Sequence, residues 1–329
     1  MLCKVLKGDN GTRKLENMHV VRVPEMSLFL TELVLPSDSE RRDGKIIVTY
    51  QTPPVSQGQG STRIEVPLQP DIDGLEEVDI LMHSSPTTAY DMGSHYSDWF
   101  SENFGYPVIL AYIGHHRRRV LGSMAPAQQE NAGGGGGWLS TIASSIPYLG
   151  RKQDDGIITF ADCAAYLVVS ETSRQEVSSR MAEGFEADVT KFRPNIVVSG
   201  AETAWEEDYW GELTLGDAEN AQLLLTSNCV RCMSLNVNYD TGTMDTVGPG
   251  QIFKKLNKDR RVDQGAKYSP VFGRYGFLKG NDPIHVRVGD AVEVSRTLTE
   301  RTTFGRWLHH STTEVGTCAN TFTDWPNLG

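Results

Sequence analysis

The sequence predicts an α+β fold that is mostly β and barrel-like, and three observations carry that expectation. Short runs of strand-like residues recur from Met1 to about Pro70, with Gly, Asp and Asn turn signals between them. Helical spacing appears in few places, above all at Tyr96, Trp99, Phe100 and Phe104. From Asn195 onward strand-like runs dominate again, and no internal repeat is found.

Taken in order, Asp9-Asn10-Gly11 reads as a turn between strands at Cys3–Leu6 and Met18–Val23. Arg41-Arg42-Asp43-Gly44 precedes a strand at Ile46–Tyr50, and Arg63–Leu68 follows. Gly105 is placed to end the aromatic helix, since glycine adopts the left-handed C-terminal conformation without penalty. A strand at Pro107–Ile113 leads into His115-His116-Arg117-Arg118-Arg119, expected to be a hydrated basic loop. Ala125–Gly137 ends in five glycines and reads as a flexible linker, with Trp138–Leu149 expected to dock as a short helix. Strands are expected at Ile157–Phe160 and Tyr166–Ser170. Ser173-Arg174-Gln175-Glu176 reads as a capping box opening a helix that Gly184 stops. Later strands are expected at Asn195–Val198, Gln222–Leu225, Met233–Tyr239, Val271–Leu278 and His285–Val294. The division that follows is a β-rich domain at 1–124, a Gly-rich linker at 125–155, a second domain at 156–300 and an irregular tail at 301–329.

Composition narrows the function. A net charge of −11 argues against nucleic-acid binding, which needs a basic face for phosphates. No apolar run reaches the ~20 residues of a membrane-spanning helix. Five scattered cysteines do not make a disulfide framework, so a reducing, intracellular compartment is expected. Nothing at the N-terminus reads as a targeting segment.

Two segments hold the candidate chemistry. In Cys229-Val230-Arg231-Cys232 the pair C-x-x-C is compatible with a zinc ribbon, a thioredoxin-like redox pair or two buried structural cysteines. A ribbon needs a second pair, which is lacking. A redox pair should open a helix, whereas Met233, Leu235, Val237 and Tyr239 alternate with polar residues as a strand would. Arg231 beside a thiol favours its thiolate, the form that ligates soft metals. In Lys191-Phe192-Arg193-Pro194-Asn195, Pro194 is expected to hold Arg193 extended at a strand entrance. Arg193 offers forked donors to a phosphate and Asn195 a donor and an acceptor to a heterocycle, although an exposed loop arginine fits equally. Asp154-Asp155 and Glu206-Glu207-Asp208 are expected on a solvated surface.

Phe192-Arg193-Pro194-Asn195-Ile196-Val197, Trp210-Gly211-Glu212-Leu213-Thr214-Leu215-Gly216-Asp217, Arg231-Cys232 and Asp240-Thr241-Gly242 together resemble the MOSC domain. That domain is the molybdenum-cofactor-binding module of amidoxime-reducing components and of the C-terminal part of molybdenum cofactor sulfurases. Tyr268–Gly273 and Val286–Asp290 resemble its closing strands, and residues 1–113 resemble the β-barrel domain that precedes it. The resemblance implies a MOSC β-barrel preceded by a partial N-terminal β-rich domain. It implies Cys232 as the molybdenum ligand and catalytic residue, with Arg193, Asn195, Val230 and Arg231 holding the molybdenum cofactor (Mo-molybdopterin). Cys163 and Ala164 stand where relatives have Thr-Ser, in Asp162-Cys163-Ala164-Ala165, and lose two hydroxyls. The family's N-terminal Lys-Ser segment and a following arginine are expected to lie before Met1.

The function so implied is two-electron reduction of small N-hydroxylated substrates at a Cys-ligated molybdenum. A separate cytochrome b5 or reductase-type protein would donate the electrons, since no four-cysteine cluster motif is present. The implied setting is cytoplasmic or mitochondria-associated. The alternatives are a cofactor carrier related to sulfuration, or a cofactor-free remnant; pyridoxal phosphate enters only through the sulfurases' other domain.

Overall fold

The computed structural model describes residues 1–8, 11–36, 44–58, 60–121, 124–126, 156–216, 221–246, 251–280 and 284–305. Residues 127–137 of the expected linker at 125–137, the expected helix at 138–149, Asp154-Asp155 and the tail beyond 305 lie outside them, as do most of the two turn signals at 9–11 and 41–44. The strands are β1 (Leu2–Lys7), β2 (Arg13–Asn17), β3 (Phe29–Val34), β4 (Lys45–Gln51), β5 (Ser61–Pro67), β6 (Glu77–Met82), β7 (Ser85–Asp91), β8 (Val108–Tyr112) and β9 (Arg118–Arg119). They continue as β10 (Ile157–Ile158), β11 (Tyr166–Ser170), β12 (Ile196–Val198), β13 (Trp210–Leu215), β14 (Gln222–Val230), β15 (Val237–Asn238), β16 (Thr243–Met244), β17 (Val271–Leu278) and β18 (Val292–Thr297). Among the described residues the α-helices are α1 (Ser94–Phe104), α2 (Glu171–Ser179) and α3 (Ile252–Asn257). The fold is mostly β, with one sheet curled into a nearly closed barrel shape and another into a half-barrel.

The chain groups into two compact units: residues 1–82, 86–117 and 232–253 in the first, and 83–85, 118–231 and 254–329 in the second. In the first unit, five antiparallel strands run in the order β2-β1-β8-β7-β6, and β3-β4-β5 form a separate sheet. Helix α1 forms because Tyr96, Trp99, Phe100 and Phe104 share one face, and all pack into the core with Met18, Val48, Ile64 and Val108. Phe29 stacks on Phe104 with ring centroids 4.4 Å apart. Phe100, the buried one of these aromatics at 3% exposure, contributes roughly 1.5–3 kcal/mol. Gly105 ends α1 as expected, at φ 76°, with its N–H on Ser101 O at 2.8 Å. The partner of β1 is Arg13–Asn17, in register Cys3↔Asn17, rather than the expected Met18–Val23. Met18 closes the ladder, its N–H donating to Leu2 O at 3.1 Å, and is buried as a core residue.

In the second unit the sheet order is β12-β11-β17-β14-β13-β18. Strands β11 and β12 are parallel, Val168↔Ile196, with α2 as the crossover between them. Helix α2 starts at Glu171 with Ser170 as its cap, one turn before the expected capping box. Ser173 is therefore inside the helix and buried, and the helix ends at Arg180, before Gly184. Strand β14 runs to Val230, beyond the expected Leu225, and the last strand is Val292–Thr297 rather than His285–Val294. Val168, Trp210, Leu213, Leu215, Leu223 and Leu225 form the core.

One cation crosses that apolar sheet. Arg274 on β17 is wholly buried; its Nη1 donates to Asn228 Oδ1 and Thr302 Oγ1, both at 2.7 Å, and its Nη2 donates to Leu225 O at 3.0 Å. Burial pulls its pKa down to about 10, still far above neutrality, so the charge is retained. Gly273 beside it has φ +85°, and a Cβ there would lie 2.7 Å from Val168 O. Glycine is what lets β11 and β17 approach.

Candidate functional site

The Arg193 segment begins with a 3-10 turn, Val189–Phe192, capped by Asp188, whose carboxylate accepts from Thr190 N–H at 2.9 Å. Phe192 is fully buried and packs on Phe272, centroids 4.2 Å apart, which anchors the turn. Arg193 closes it in the left-handed conformation, φ 55° and ψ 43°, with its N–H on Thr190 O at 3.0 Å. The extended conformation expected from Pro194 is therefore overridden by the cap. The guanidinium is 62% exposed and meets Asp162 Oδ2 at 3.3 Å. Asn195 starts the parallel pairing from both its backbone and its side chain. Its N–H donates to Leu167 O at 2.9 Å, and its Oδ1 accepts from Leu167 N–H at 2.8 Å. The residue is exposed, and its Nδ2 is the donor that this ladder does not use.

Arg231 leaves the end of β14 and is only 7% exposed. Its backbone N–H donates to Pro270 O at 2.8 Å, its Nη2 to Phe192 O at 2.6 Å and its Nη1 to Cys229 Sγ at 2.9 Å. The guanidinium also lies 5.4 Å from the Phe192 ring centroid. The cation of the C-x-x-C segment is thus tied to its first cysteine, and it joins the β14 exit to the Phe192-Arg193 turn. Cys229 is buried beside Tyr275, a partly buried phenol whose desolvation pushes its pKa well above the usual 10. Val230 is the last β14 residue and pairs with Val271.

Cys232 belongs to the first unit. It is half-buried, extended at φ −119°, and opens a 3-10 turn at Met233–Asn236, with Leu235 N–H on its carbonyl at 3.4 Å. Its Sγ lies 3.2 Å from Ser234 Oγ. The expected strand Met233–Tyr239 shrinks to β15. The apolar alternation is real, since Leu235 and Val237 are fully buried, but Asn236 is buried as well. Its Oδ1 accepts from Phe253 N–H at 3.1 Å and its carbonyl from Asp245 N–H at 2.8 Å, so the chain folds around it.

The third component is the loop before β11. Arg118, expected in a hydrated run, is 3% exposed on β9. Its Nε donates to Thr159 O at 2.9 Å and its Nη2 to the carbonyls of Ala161 and Asp162. Cys163 is half-buried against the cluster of Val120, Met124, Ile158, Ala164 and Phe277. Ala164 is 5% exposed and turned into that core, so a ligand would meet its backbone, not its methyl. His83, which had no signal in the sequence, reaches the same loop, with Nε2 3.6 Å from Asp162 Oδ1.

The acidic run also departs from expectation. Glu207 and Asp208 are fully buried rather than solvated. Asp208 accepts from Arg260 Nη2 at 2.7 and 2.9 Å and from Arg301 Nε at 2.7 Å. Glu207 Oε2 accepts from Ser173 Oγ at 2.7 Å. Two salt-bridging arginines from distant positions supply what the surface reading lacked. Among the described residues, no helix is long and apolar enough to cross a membrane.

The MOSC domain family matches residues 155–293. Mitochondrial amidoxime reducing component 2 of Bos taurus is 35% identical over 138 residues, 40% of this chain and 39% of that protein. Mitochondrial amidoxime-reducing component 1 of Homo sapiens is 35% identical over 148 residues, 44% of this chain and 40% of that protein. Molybdenum cofactor sulfurase of Bos taurus is 22% identical over 250 residues, 72% of this chain but 24% of that protein. The chain thus spans about two fifths of the length of the amidoxime-reducing relatives it matches. Residues 155–293 are a MOSC domain, with amidoxime-reducing components and molybdenum cofactor sulfurase as its homologues.

Proposed function

We propose that this protein binds the molybdenum cofactor and acts as an oxidoreductase on small N-hydroxylated substrates. The observation that carries the reading is the Arg231 guanidinium on Phe192 O at 2.6 Å. It fixes the Arg193-Pro194-Asn195 segment to the end of the strand that continues into Cys232. The residue types fit such a group: an exposed guanidinium and amide at Arg193 and Asn195 suit a pterin and its phosphate. A half-buried thiol at Cys232 suits a soft metal.

In this reading Arg193 binds the phosphate, Asn195 hydrogen-bonds the heterocycle, and Arg231 adds a fixed charge while keeping the Phe192 turn in place. Val230, Cys163 and Ala164 contribute backbone groups. Cys232 supplies the thiolate to the metal and is the catalytic residue. When bound, the cofactor supplies two-electron chemistry that removes oxygen from the substrate nitrogen. The electrons come from a separate haem or flavin protein of the cytochrome b5 and reductase type, in a cytoplasmic or mitochondria-associated setting. The domain division 1–124, 125–155, 156–300 and 301–329 belongs to the same proposal.

A second reading, a cofactor carrier without turnover, is favoured by the sulfurase match over 72% of the chain. The test is to purify the chain and its Cys232→Ser variant, then measure molybdenum, pterin fluorescence and benzamidoxime reduction with an artificial electron donor. The oxidoreductase reading expects metal and turnover, both lost in Cys232→Ser. Cofactor without turnover supports the carrier, and neither pterin nor molybdenum in the wild type refutes both.

A further inference from the structure

We propose that His83 and Arg193 form a phosphate-monoester subsite with Asp162 as its built-in competitor, an intramolecular carboxylate that the incoming phosphate displaces. Identifying that phosphate as the cofactor's rests on the reading above; the subsite itself rests on geometry.

Two basic side chains converge on opposite oxygens of one carboxylate. His83 Nε2 lies 3.6 Å from Asp162 Oδ1, and Arg193 Nη1 lies 3.3 Å from Asp162 Oδ2. A carboxylate held between an imidazole and a guanidinium occupies the position a phosphate would take, with the same donors facing it. The arrangement is open to solvent on the Arg193 side, where the Arg193 and Asp162 side chains are 62% and 43% exposed, while the His83 side chain is 18% exposed and forms its inner wall. An exposed ion pair of that length stabilises little, so a dianion with more acceptor oxygens can replace it.

The main chain at all three corners is held. His83 and Ser84 form the two-residue link between β6 and β7 with φ 49° and 61°, a conformation usually given to Asn-Gly. Ser85, 1% exposed, donates from its hydroxyl to Arg119 O at 2.8 Å and fixes that link. Asp162 is gripped through its carbonyl by the buried Arg118. Arg193 is itself left-handed, held by its N–H on Thr190 O. Among the described residues, four non-glycine positions have positive φ, and two of them are His83 and Arg193. Such strain persists where the surroundings over-determine a side chain's position, and here it places two donors on one acceptor. His83 lies outside residues 155–293, so the domain match does not include it.

The experiment is calorimetric titration of the purified chain with inorganic phosphate, comparing wild type, His83→Gln, Arg193→Gln and Asp162→Asn, each checked for folding by circular dichroism. Asp162→Asn removes the competing charge and is expected to tighten phosphate about tenfold, while either basic-residue variant weakens it about tenfold. Unchanged or weaker binding in Asp162→Asn, or wild-type affinity in His83→Gln, overturns the subsite. Pterin content of the same proteins as purified reads the cofactor assignment separately. Wild type without pterin defeats the proposed function while leaving the phosphate result to decide the subsite. Pterin retained undiminished in His83→Gln defeats the assignment of this phosphate to the cofactor.

Discussion

Glu207→Gln is expected to make the protein more stable at pH 8 and to change little at pH 5. Glu207 is 0% exposed, and burial pushes its carboxyl from 4.5 up to about 7. The Ser173 hydroxyl and the Arg260 charge pull the other way and are outweighed, while Asp208 next door adds to the rise. Among the described residues Oε1 has no hydrogen-bond partner, so ionising this group places charge on an oxygen that they do not solvate. The sign follows from linkage. With the folded pKa above the unfolded one, the fold holds its proton longer, so stability falls as pH rises between 4.5 and about 7 and is level above. At about 1.4 kcal/mol per pH unit, the loss between pH 5 and pH 8 is about 2–3 kcal/mol. Glutamine keeps an acceptor for Ser173 and cannot ionise. The assay is urea unfolding of wild type and variant at both pH values. A gap between the two proteins that does not widen with pH would show that Glu207 is ionised throughout or reaches water, and would refute the reasoning.

Two further outcomes concern the same unit. Arg260→Met removes a 4%-exposed guanidinium that grips both oxygens of Asp208. Because Arg301 alone then faces the buried carboxylate, the urea midpoint should fall by the equivalent of about 3 kcal/mol. Gly273→Ala forces a Cβ to 2.7 Å from Val168 O at a φ of +85°. The melting temperature should drop by about 2 °C or more, corresponding to upwards of 1 kcal/mol; an unchanged melting temperature would mean that β11 and β17 can separate freely.

The sequence carried local periodicity well and distant partners poorly. Tyr166–Ser170 and Val271–Leu278 are strands at the residues their apolar runs mark, because burial on both faces leaves a continuous signal. Met233–Tyr239 shows the reverse: its alternation is equally good, yet Asn236 bonds inward and a 3-10 turn replaces most of the strand. Pro194 biases Arg193 toward an extended form, but that bias is small beside a capped turn anchored by Phe192. Glu207 and Asp208 look solvated because their partners are 34, 52 and 93 residues away, at Ser173, Arg260 and Arg301. Arg118 is hidden the same way within a run of three arginines, of which the middle one alone turns inward. In the candidate site, the motifs named Arg193, Asn195, Arg231 and Cys232. They gave no sign that Arg231 would meet Cys229, or that His83 would meet Asp162.

The interior Arg274 acts as a ratchet pawl on its neighbour. Its fork engages Leu225 and Asn228 together, so sliding that neighbour by one residue would trade the amide oxygen for the Ser227 hydroxyl or the Cys229 thiol, a poorer partner for a buried charge. The point at which the polypeptide departs the sheet, three residues past Asn228, is thereby locked to a single place. Inserting one residue between Leu225 and Asn228 should therefore be tolerated far less well than inserting one after Gly242.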